Sequence, residues 1–467
     1  MLLISNYNMS FLNSVRIFIL IMFSNYNIVG SAALSLPAAH TCIIGGGYSG
    51  LAAARYLKEF GVNFTVFEAA KTYGGTWRFD PHVGVDEDGV PVFTSMYKYL
   101  RTNTPRQTME FGGYQFPSDT PSYPSGPCFY KYIKSFVKHF NLLPNIQVRS
   151  LVMSVRFFND QWFLTYMHTK ERKNYTVSCD FVVIASGQYV KPNIPKFPGL
   201  ETFKGSIIHS HDYKEPETYQ NRRVLLIGAG PSGLDLALHL SNSTARLLHS
   251  HHLSYNQPDF GKNFVKKPDV KTFVSDGAIF VDDTFEEVDD VILCTGYEFS
   301  HPFLDSSSGL TLSGKYVLPL HLSIVNIRHP TMFFIGVVNK VITRVLDAQA
   351  EYIASYIAGK FKLPSQDEML KMWLDKAYRL RVRQQKITEI NTIGPDMDQY
   401  FANLTKEAGI TRVPPVLSEI RDFNAQNRLD DWLHYREYDF EIIDAYNYKR
   451  SYAGSPPEKC PIEGQDE

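Results

Sequence analysis

A short apolar strand, a tight glycine turn and a helix start occur twice in this chain, and few arrangements accommodate that pairing. The first copy is Gly45-Gly46-Gly47-Tyr48-Ser49-Gly50, after Cys42-Ile43-Ile44. The second is Gly228-Ala229-Gly230-Pro231-Ser232-Gly233, after Val224-Leu225-Leu226-Ile227. In each copy the first glycine makes the turn and the second lets the backbone approach a pyrophosphate. The third lets the helix pack close to the strand. The helix N-terminus then offers free N–H groups and a partial positive charge to phosphates. One such match says little. Two in one chain point to two dinucleotides held together, and so to electron transfer between them.

The local patterns agree. Residues from about His40 to Glu68 read as strand, helix, strand, with Ala52, Ala53 and Ala54 where the helix must approach a sheet. Glu68 closes the second strand at the spacing, about 20 residues on, where a ribose-binding carboxylate belongs. The expected fold class is therefore α/β, with two dinucleotide-binding, Rossmann-like domains. Antiparallel strands are expected over about Val148 to Val177, where polar and apolar residues alternate. Phe181–Ala185 and Val291–Cys294 read as buried strands, Phe129–Phe140 and Leu346–Lys360 as helices, and a helical tail runs to about Ile387. The strand Arg246–Leu248 runs into His249-Ser250-His251-His252 with no Asp or Glu at its end. NAD sites place a carboxylate there, whereas NADP sites replace it with positive or neutral groups. Arg246, His251 and His252 are the candidates to meet a 2′-phosphate.

Further motifs lie between and after the two turns: Gly74-Gly75-Thr76-Trp77, then Phe203-x-Gly205-x-x-x-His209-x-x-x-Tyr213, then Cys294-Thr295-Gly296-Tyr297. In this order they resemble the flavin-containing monooxygenases, single-chain enzymes that use FAD and NADPH to insert one oxygen atom from O2. The resemblance runs from about Thr41 to Gly359. It implies an NADP domain over 196–299 inserted into an FAD domain over 38–195 and 300–450, followed by a polar tail over 451–467. It places FAD against Gly45–Gly50, Glu68, Gly75, Thr76 and Trp77, and NADP against Gly228–Gly233, Thr295 and Gly296. Tyr99–Pro105 resembles the family segment that sets an Asn over the flavin. That assigns the catalytic role to Asn103, flanked by Thr102 and Thr104. Asp347-Ala348-Gln349-Ala350 resembles a flavin-contacting helix start, from which Gln349 would reach the isoalloxazine or the nicotinamide. His209 corresponds to a structural linker in the family rather than to an acid or base.

The implied chemistry is formation of a C4a-hydroperoxyflavin and transfer of its distal oxygen to a soft nucleophile. A tertiary amine nitrogen, pyrrolizidine alkaloids among them, or a sulfide would serve. The cofactor carries that chemistry, so the absence of a recognisable hydrolytic triad or metal motif is expected. Two departures stand out: Pro231 replaces a frequent Asn, and the second half is short. The compact form most resembles the insect branch of the family. A Baeyer–Villiger monooxygenase or a redox-inactive flavin-binding module remains the alternative.

Composition bounds the rest. The 467 residues, 44% hydrophobic, suffice for two or three domains. A net charge of −1 gives no electrostatic footprint for nucleic acid. Arg16, the apolar run Ile17–Phe23 and the small residues Gly30–Ala33 resemble a secretory signal over 1–33, with an interfacial anchor or the endoplasmic reticulum as the alternative. No later apolar run is long enough to span a bilayer. Asn63, Asn174, Asn242 and Asn403 head N-x-S/T sequons. The five cysteines are widely scattered and read as having neither a disulfide framework nor a zinc site, with Cys42 and Cys294 as small hydrophobes in strands. Partners are thus a small nucleophilic substrate and O2, and a homo-oligomer stays open.

Overall fold

The computed structural model of the protein describes residues 39–254, 258, 260–454 and 460–462. The expected leader over 1–33 lies outside them. The first apolar run becomes the strand His40–Ile44, near the centre of a seven-stranded sheet. It pairs in parallel with Asn63–Phe67 on one side and Phe181–Ile184 on the other. An unbroken apolar run is what a parallel strand covered on both faces requires. The sheet continues through Met332–Phe334 beyond Phe181–Ile184, so segments far apart in the chain build it together. The helix Tyr48–Glu59 packs beside the helix Arg344–Ile357. Ala52, Ala53 and Ala54 are fully buried there, small enough to let the helix approach its neighbours closely.

The second turn belongs to a separate, wholly parallel sheet of five strands. Their order across the sheet is Phe264–Lys267, Arg246–Ser250, Arg223–Ile227, Asp290–Leu293 and Ser206–His209. A small antiparallel sheet of Val270–Val274, Gly277–Phe280 and Phe285–Glu287 lies in the chain between Phe264–Lys267 and Asp290–Leu293. The chain enters and leaves this half by two linkers that are bound to each other. Lys191–Pro192 pairs antiparallel with Tyr297–Glu298. Asn193 seals the join: its N–H donates to the Gly296 carbonyl at 2.9 Å, and its Nδ2 donates to the Thr295 carbonyl at 2.9 Å.

The alternating stretch after Val148 forms three antiparallel strands, Ser150–Phe158, Gln161–His168 and Lys173–Cys179. The helical tail extends further than the sequence reading placed it. Helices run over Gln366–Val382, Met397–Ala408 and Val416–Asp430. Met397, Tyr400, Phe401, Leu404 and Ala408 are buried at helical spacing, a periodicity that the sequence carries. The polar tail also begins later than expected, because Ser451 and Tyr452 complete a hairpin of Tyr438–Ile442 with Tyr448–Tyr452.

The cysteine reading is overturned. Cys42 and Cys179 form a disulfide, with Cα atoms 5.8 Å apart, that ties the strand His40–Ile44 to the end of Lys173–Cys179. Cys128, at the start of the helix Gly126–His139, is joined to Cys460. The partners are 137 and 332 positions apart in the chain, so no local spacing announces them. Only Cys294 is free, and burial pushes its thiol up to about 12, far from any redox role at neutral pH. Thiol counting checks this arrangement. Unfolded without reductant, the chain should label at Cys294 alone; with reductant, at all five cysteines. Five labels in both conditions would contradict the pairing.

Candidate active site

The first glycine turn opens into a cavity of about 570 Å³ at the carboxyl ends of the sheet's strands. Gly45 turns the chain at φ +107°, and a Cβ on Gly50 would stand 1.9 Å from the Gly45 carbonyl oxygen. The helix Tyr48–Glu59 therefore starts only because two positions carry no side chain. Its N-cap, Gly47, supplies no side-chain acceptor, and no acid lies in its first turn. The N–H groups at that end thus face an anion that the chain itself does not provide. The Gly74–Trp77 motif closes on the same turn: the Gly74 N–H donates to the Gly46 carbonyl at 2.9 Å. Gly45, Gly47, Tyr48, Ser49, Glu68, Gly75, Thr76 and Trp77 all line the cavity.

Glu68 sits at the end of its strand, 8% exposed. Its Oε2 accepts from the Gly46 N–H at 2.7 Å and its Oε1 from the Ala70 N–H at 2.9 Å. Burial raises its pKa, and these backbone donors work against that shift. Each oxygen keeps a lone pair for a ribose hydroxyl. Together, the uncapped helix end, the glycine cradle and the aimed carboxylate fit a dinucleotide such as FAD. The sequence reading missed other lining residues. Ser186, Gly187, Gln188 and Tyr189 follow the strand Phe181–Ile184, and Gly336, Ile342, Thr343 and Leu346 come from the return of the chain. The Ser186-Gly187 strand end is legible in the sequence, and ligands gather at such ends. The return segment carries no comparable signal.

The second turn repeats the geometry. A Cβ on Gly233 would lie 2.0 Å from the Gly228 carbonyl oxygen, and Gly228 itself adopts φ +101°. A Cβ on Gly230 would meet nothing within 4 Å, so that face of the turn is open. The helix Pro231–Leu240 is also without a side-chain cap, with Pro231 exposed in its first turn, Ser232 half-buried and Ala229 buried. A second dinucleotide fits here on the same argument.

The 2′-phosphate candidates separate. Arg246 pairs with Arg223 at the amino end of its strand, whereas Ser250 pairs with Ile227 beside the glycine turn. Four residues of strand put roughly 13 Å between Arg246 and that turn. Its guanidinium is instead bound to Glu286, at 3.0 Å. Arg246 is thus a structural ion pair, at the end of its strand away from the glycine turn, and not a contact to a 2′-phosphate. His251 and His252 do leave the strand at the correct end. His251 is buried, and its N–H donates to the Lys267 carbonyl at 3.2 Å. His252 is exposed beside Asp269, at 3.1 Å. A residue that sequence reasoning passed over also touches the turn. The fully buried His249 donates from Nε2 to the Gly228 carbonyl at 3.0 Å, and burial lowers its pKa to about 4, which keeps it neutral.

The remaining assignments are not among the residues that line the cavity. Thr102 is buried, Thr104 half-buried, and Asn103 half-buried with its carbonyl accepting from Asn424 Nδ2 at 3.1 Å. The Asn103 side chain makes no hydrogen bond among the described residues, so its amide is free to meet a ligand. Gln349 is fully buried and already committed: its Oε1 accepts from the Gly336 N–H at 3.0 Å and its Nε2 donates to Tyr400 Oη at 2.8 Å. It shapes the cavity through Gly336 and does not reach into it, contrary to expectation. Thr295 donates from its hydroxyl to the Asn193 carbonyl at 2.6 Å, which joins the linkers. The Phe203–Tyr213 signature is structural throughout. Phe203 packs in the core of the second half, and Tyr213 is fully buried. His209 accepts at Nδ1 from the His211 N–H at 3.1 Å, and burial holds its pKa at about 4. A permanently neutral, enclosed imidazole is a linker and not a proton shuttle.

These contrasts separate four substitutions. Gly50→Ala should abolish flavin content, because the helix start must move. Gly230→Ala should fold and keep its flavin but raise the KM for NADPH about tenfold or more, a loss of roughly 1.4 kcal/mol. Arg246→Ala should leave the NADPH-to-NADH preference unchanged, and His252→Asp should erode it. Flavin titration and steady-state kinetics read all four, and a preference lost in Arg246→Ala would restore that residue to the nucleotide site.

Comparison with known proteins accords with this geometry. The family model of Flavin-binding monooxygenase-like proteins matches residues 38–255 and 260–421. The chain is 50% identical over 455 residues to senecionine N-oxygenase of Tyria jacobaeae, covering 96% of this chain and 99% of that one. It is 30% identical over 353 residues to the trimethylamine monooxygenase of Roseovarius sp. strain 217, covering 72% and 79%. Among solved structures, that of Tmm from Pelagibacter sp. strain HTCC7211 aligns with a TM-score of 0.80 at 25% identity, over 90% of this chain and 97% of that one. The S-allyl-L-cysteine S-oxygenase of Allium sativum shares the fold, with a TM-score of 0.80 at 24% identity over 86% and 96%. Two glycine turns with uncapped helices, joined by bound linkers, are therefore the frame of a known family: the chain belongs to the flavin-binding monooxygenases.

Proposed function

We propose that the chain uses FAD and NADPH to oxygenate the nitrogen of a small tertiary amine, with pyrrolizidine alkaloids as the substrate class, and that it works outside the cell. The observation that carries the reaction class is the pair of glycine turns, each backed by a helix N-terminus that lacks a protein cap. The substrate class is supported by the 50% identity to senecionine N-oxygenase across nearly the whole chain, and by the more distant trimethylamine monooxygenases. When bound, FAD supplies oxygen activation after reduction by NADPH. The chain's own residues bind, orient and exclude water. Glu68 and the first turn hold one nucleotide, and the second turn holds the other. Asn103 offers an amide donor that does not titrate, and the likeness of Tyr99–Pro105 to the family segment supports assigning it to the activated oxygen or the nicotinamide. One oxygen atom goes to the amine and the other leaves as water, with two electrons from NADPH and one proton from solvent.

Secretion is supported by the leader-like N-terminus, by the two disulfides, which persist in oxidising compartments, and by the exposure of Asn63, Asn174, Asn242 and Asn403. Among the described residues, no helix is long and apolar enough to cross a membrane.

Two measurements test this reading. With senecionine, NADPH and O2, mass spectrometry should find one N-oxide for each NADPH consumed. Oxidation of sulfides with no N-oxide from any tertiary amine would overturn the substrate class. Expressed in insect cells with its own leader, the chain should reach the medium shortened and should lose mass on glycosidase treatment. An intact N-terminus confined to the cytosol would overturn the location.

A further inference from the structure

The loop that bears Asn103 is gripped from the far end of the chain. Arg436 Nε donates to the Thr102 carbonyl at 2.9 Å, and Asn424 Nδ2 donates to the Asn103 carbonyl at 3.1 Å. Asn424 also accepts at Oδ1 from Tyr123 Oη at 2.7 Å, on the segment that runs alongside the loop, where the Thr102 N–H donates to the Pro124 carbonyl at 3.0 Å. Further along, the Ser122 N–H donates to Asp439 Oδ1 at 3.0 Å, and the Phe440 N–H donates to Ser122 Oγ at 2.9 Å. Asn424, Arg436, Asp439 and Phe440 all lie beyond residue 421, where the match to the family model ends.

Arg436 also faces the other way. Its Nη1 forms an ion pair with Asp235 Oδ1 at 2.7 Å, and Asp235 accepts from the Tyr97 hydroxyl at its second oxygen. Asp235 sits on the helix Pro231–Leu240, whose N-terminus forms the second glycine turn. Both partners are enclosed, Asp235 at 3% and Arg436 at 9% exposure. A buried ion pair is seldom the most stable filling for such a space, and apolar side chains of equal volume often do as well. What this pair adds is direction: one guanidinium joins the nucleotide-binding helix to the backbone next to Asn103.

We propose that the segment 424–440 is a clamp that positions Asn103, and that the Asp235–Arg436 pair couples the clamp to the helix of the NADP turn, so that the nucleotide's seat and the oxygen-guarding amide keep a fixed relation. This rests on the role assigned to Asn103 above. Asn424, Arg436 and Asp235 act as positioning residues and touch neither substrate nor cofactor.

Coupling efficiency, the amine oxide formed and H2O2 released per NADPH consumed by the FAD-loaded full-length enzyme, is the readout. Arg436→Lys keeps a cation for Asp235 but removes the donor to Thr102. Asn424→Leu keeps the volume and removes the donor to Asn103. Asp235→Asn keeps the shape and breaks the ion pair. Each should retain flavin and NADPH consumption while the ratio of H2O2 to product rises roughly three- to tenfold, the effect of one lost hydrogen bond. Asp235→Asn combined with Arg436→Lys should be no worse than the poorer single variant, because both cut one path. A merely structural role would lower the melting temperature and leave the ratio alone, and that result would overturn the clamp. If a variant fails to fold, Tyr97→Phe, which deletes one hydroxyl from the Asp235 carboxylate, must raise the ratio or the coupling claim falls. Asn103→Ala is the reference. If it uncouples while all the clamp variants stay coupled, the clamp is wrong and the role of Asn103 stands. If Asn103→Ala stays fully coupled, the role of Asn103 is wrong and the clamp falls with it.

Discussion

Both halves of the molecule depend on one close approach, a helix beginning directly on the carbonyl of a turn. At Gly50 and at Gly233 a single added carbon would stand 1.9 and 2.0 Å from that oxygen. The same approach at two separate turns shows how narrow the solution is. Because the helix starts so near the strand end, its unbonded N–H groups lie in the crevice above the sheet. Phosphate binding is then a property of backbone alone. Side chains are left to decide the rest: a carboxylate at Glu68 for one nucleotide, and an imidazole, His251, at the corresponding position for the other.

The titratable groups tell a consistent story. His209 and His249 are buried and held neutral near 4, and Cys294 is held protonated. None can exchange protons with a reacting molecule at neutral pH. Such a site suits chemistry done by a cofactor, in which the protein's task is geometry and dryness. The buried charge pair of Asp235 with Arg436 is costly in the same terms: removing one partner of such a pair typically costs about 3–5 kcal/mol. Burial opposes ionisation of Asp235, and Arg436 nevertheless holds its carboxyl below the usual range.

What was legible in the sequence was local. The glycine turns, Glu68, the parallel strands and the alternating antiparallel stretch all declare themselves within a few residues. Arg246 was misjudged because it opens its strand, four residues from the end that meets the glycine turn, and its partner Glu286 lies 40 positions on. Gln349 was placed on the correct helix, but its amide is spent on Gly336 and Tyr400, and Tyr400 comes from a helix not foreseen. The disulfides, the clamp from Asn424 to Phe440 and the imidazole of His249 depend on partners tens to hundreds of positions away. Nothing in the spacing of a single sequence points to them.

The bond between Cys128 and Cys460 has a consequence for durability. The exposed stretch around Ile443 and Tyr446 is the natural place for a protease to cut. After such a cut the released piece would still be fastened to the helix Gly126–His139, and half of the hairpin would stay in place. The nicked enzyme would travel as one particle and separate only once reduced. Its working lifetime among digestive or extracellular proteases would then be set by reduction of one bond rather than by the first cleavage.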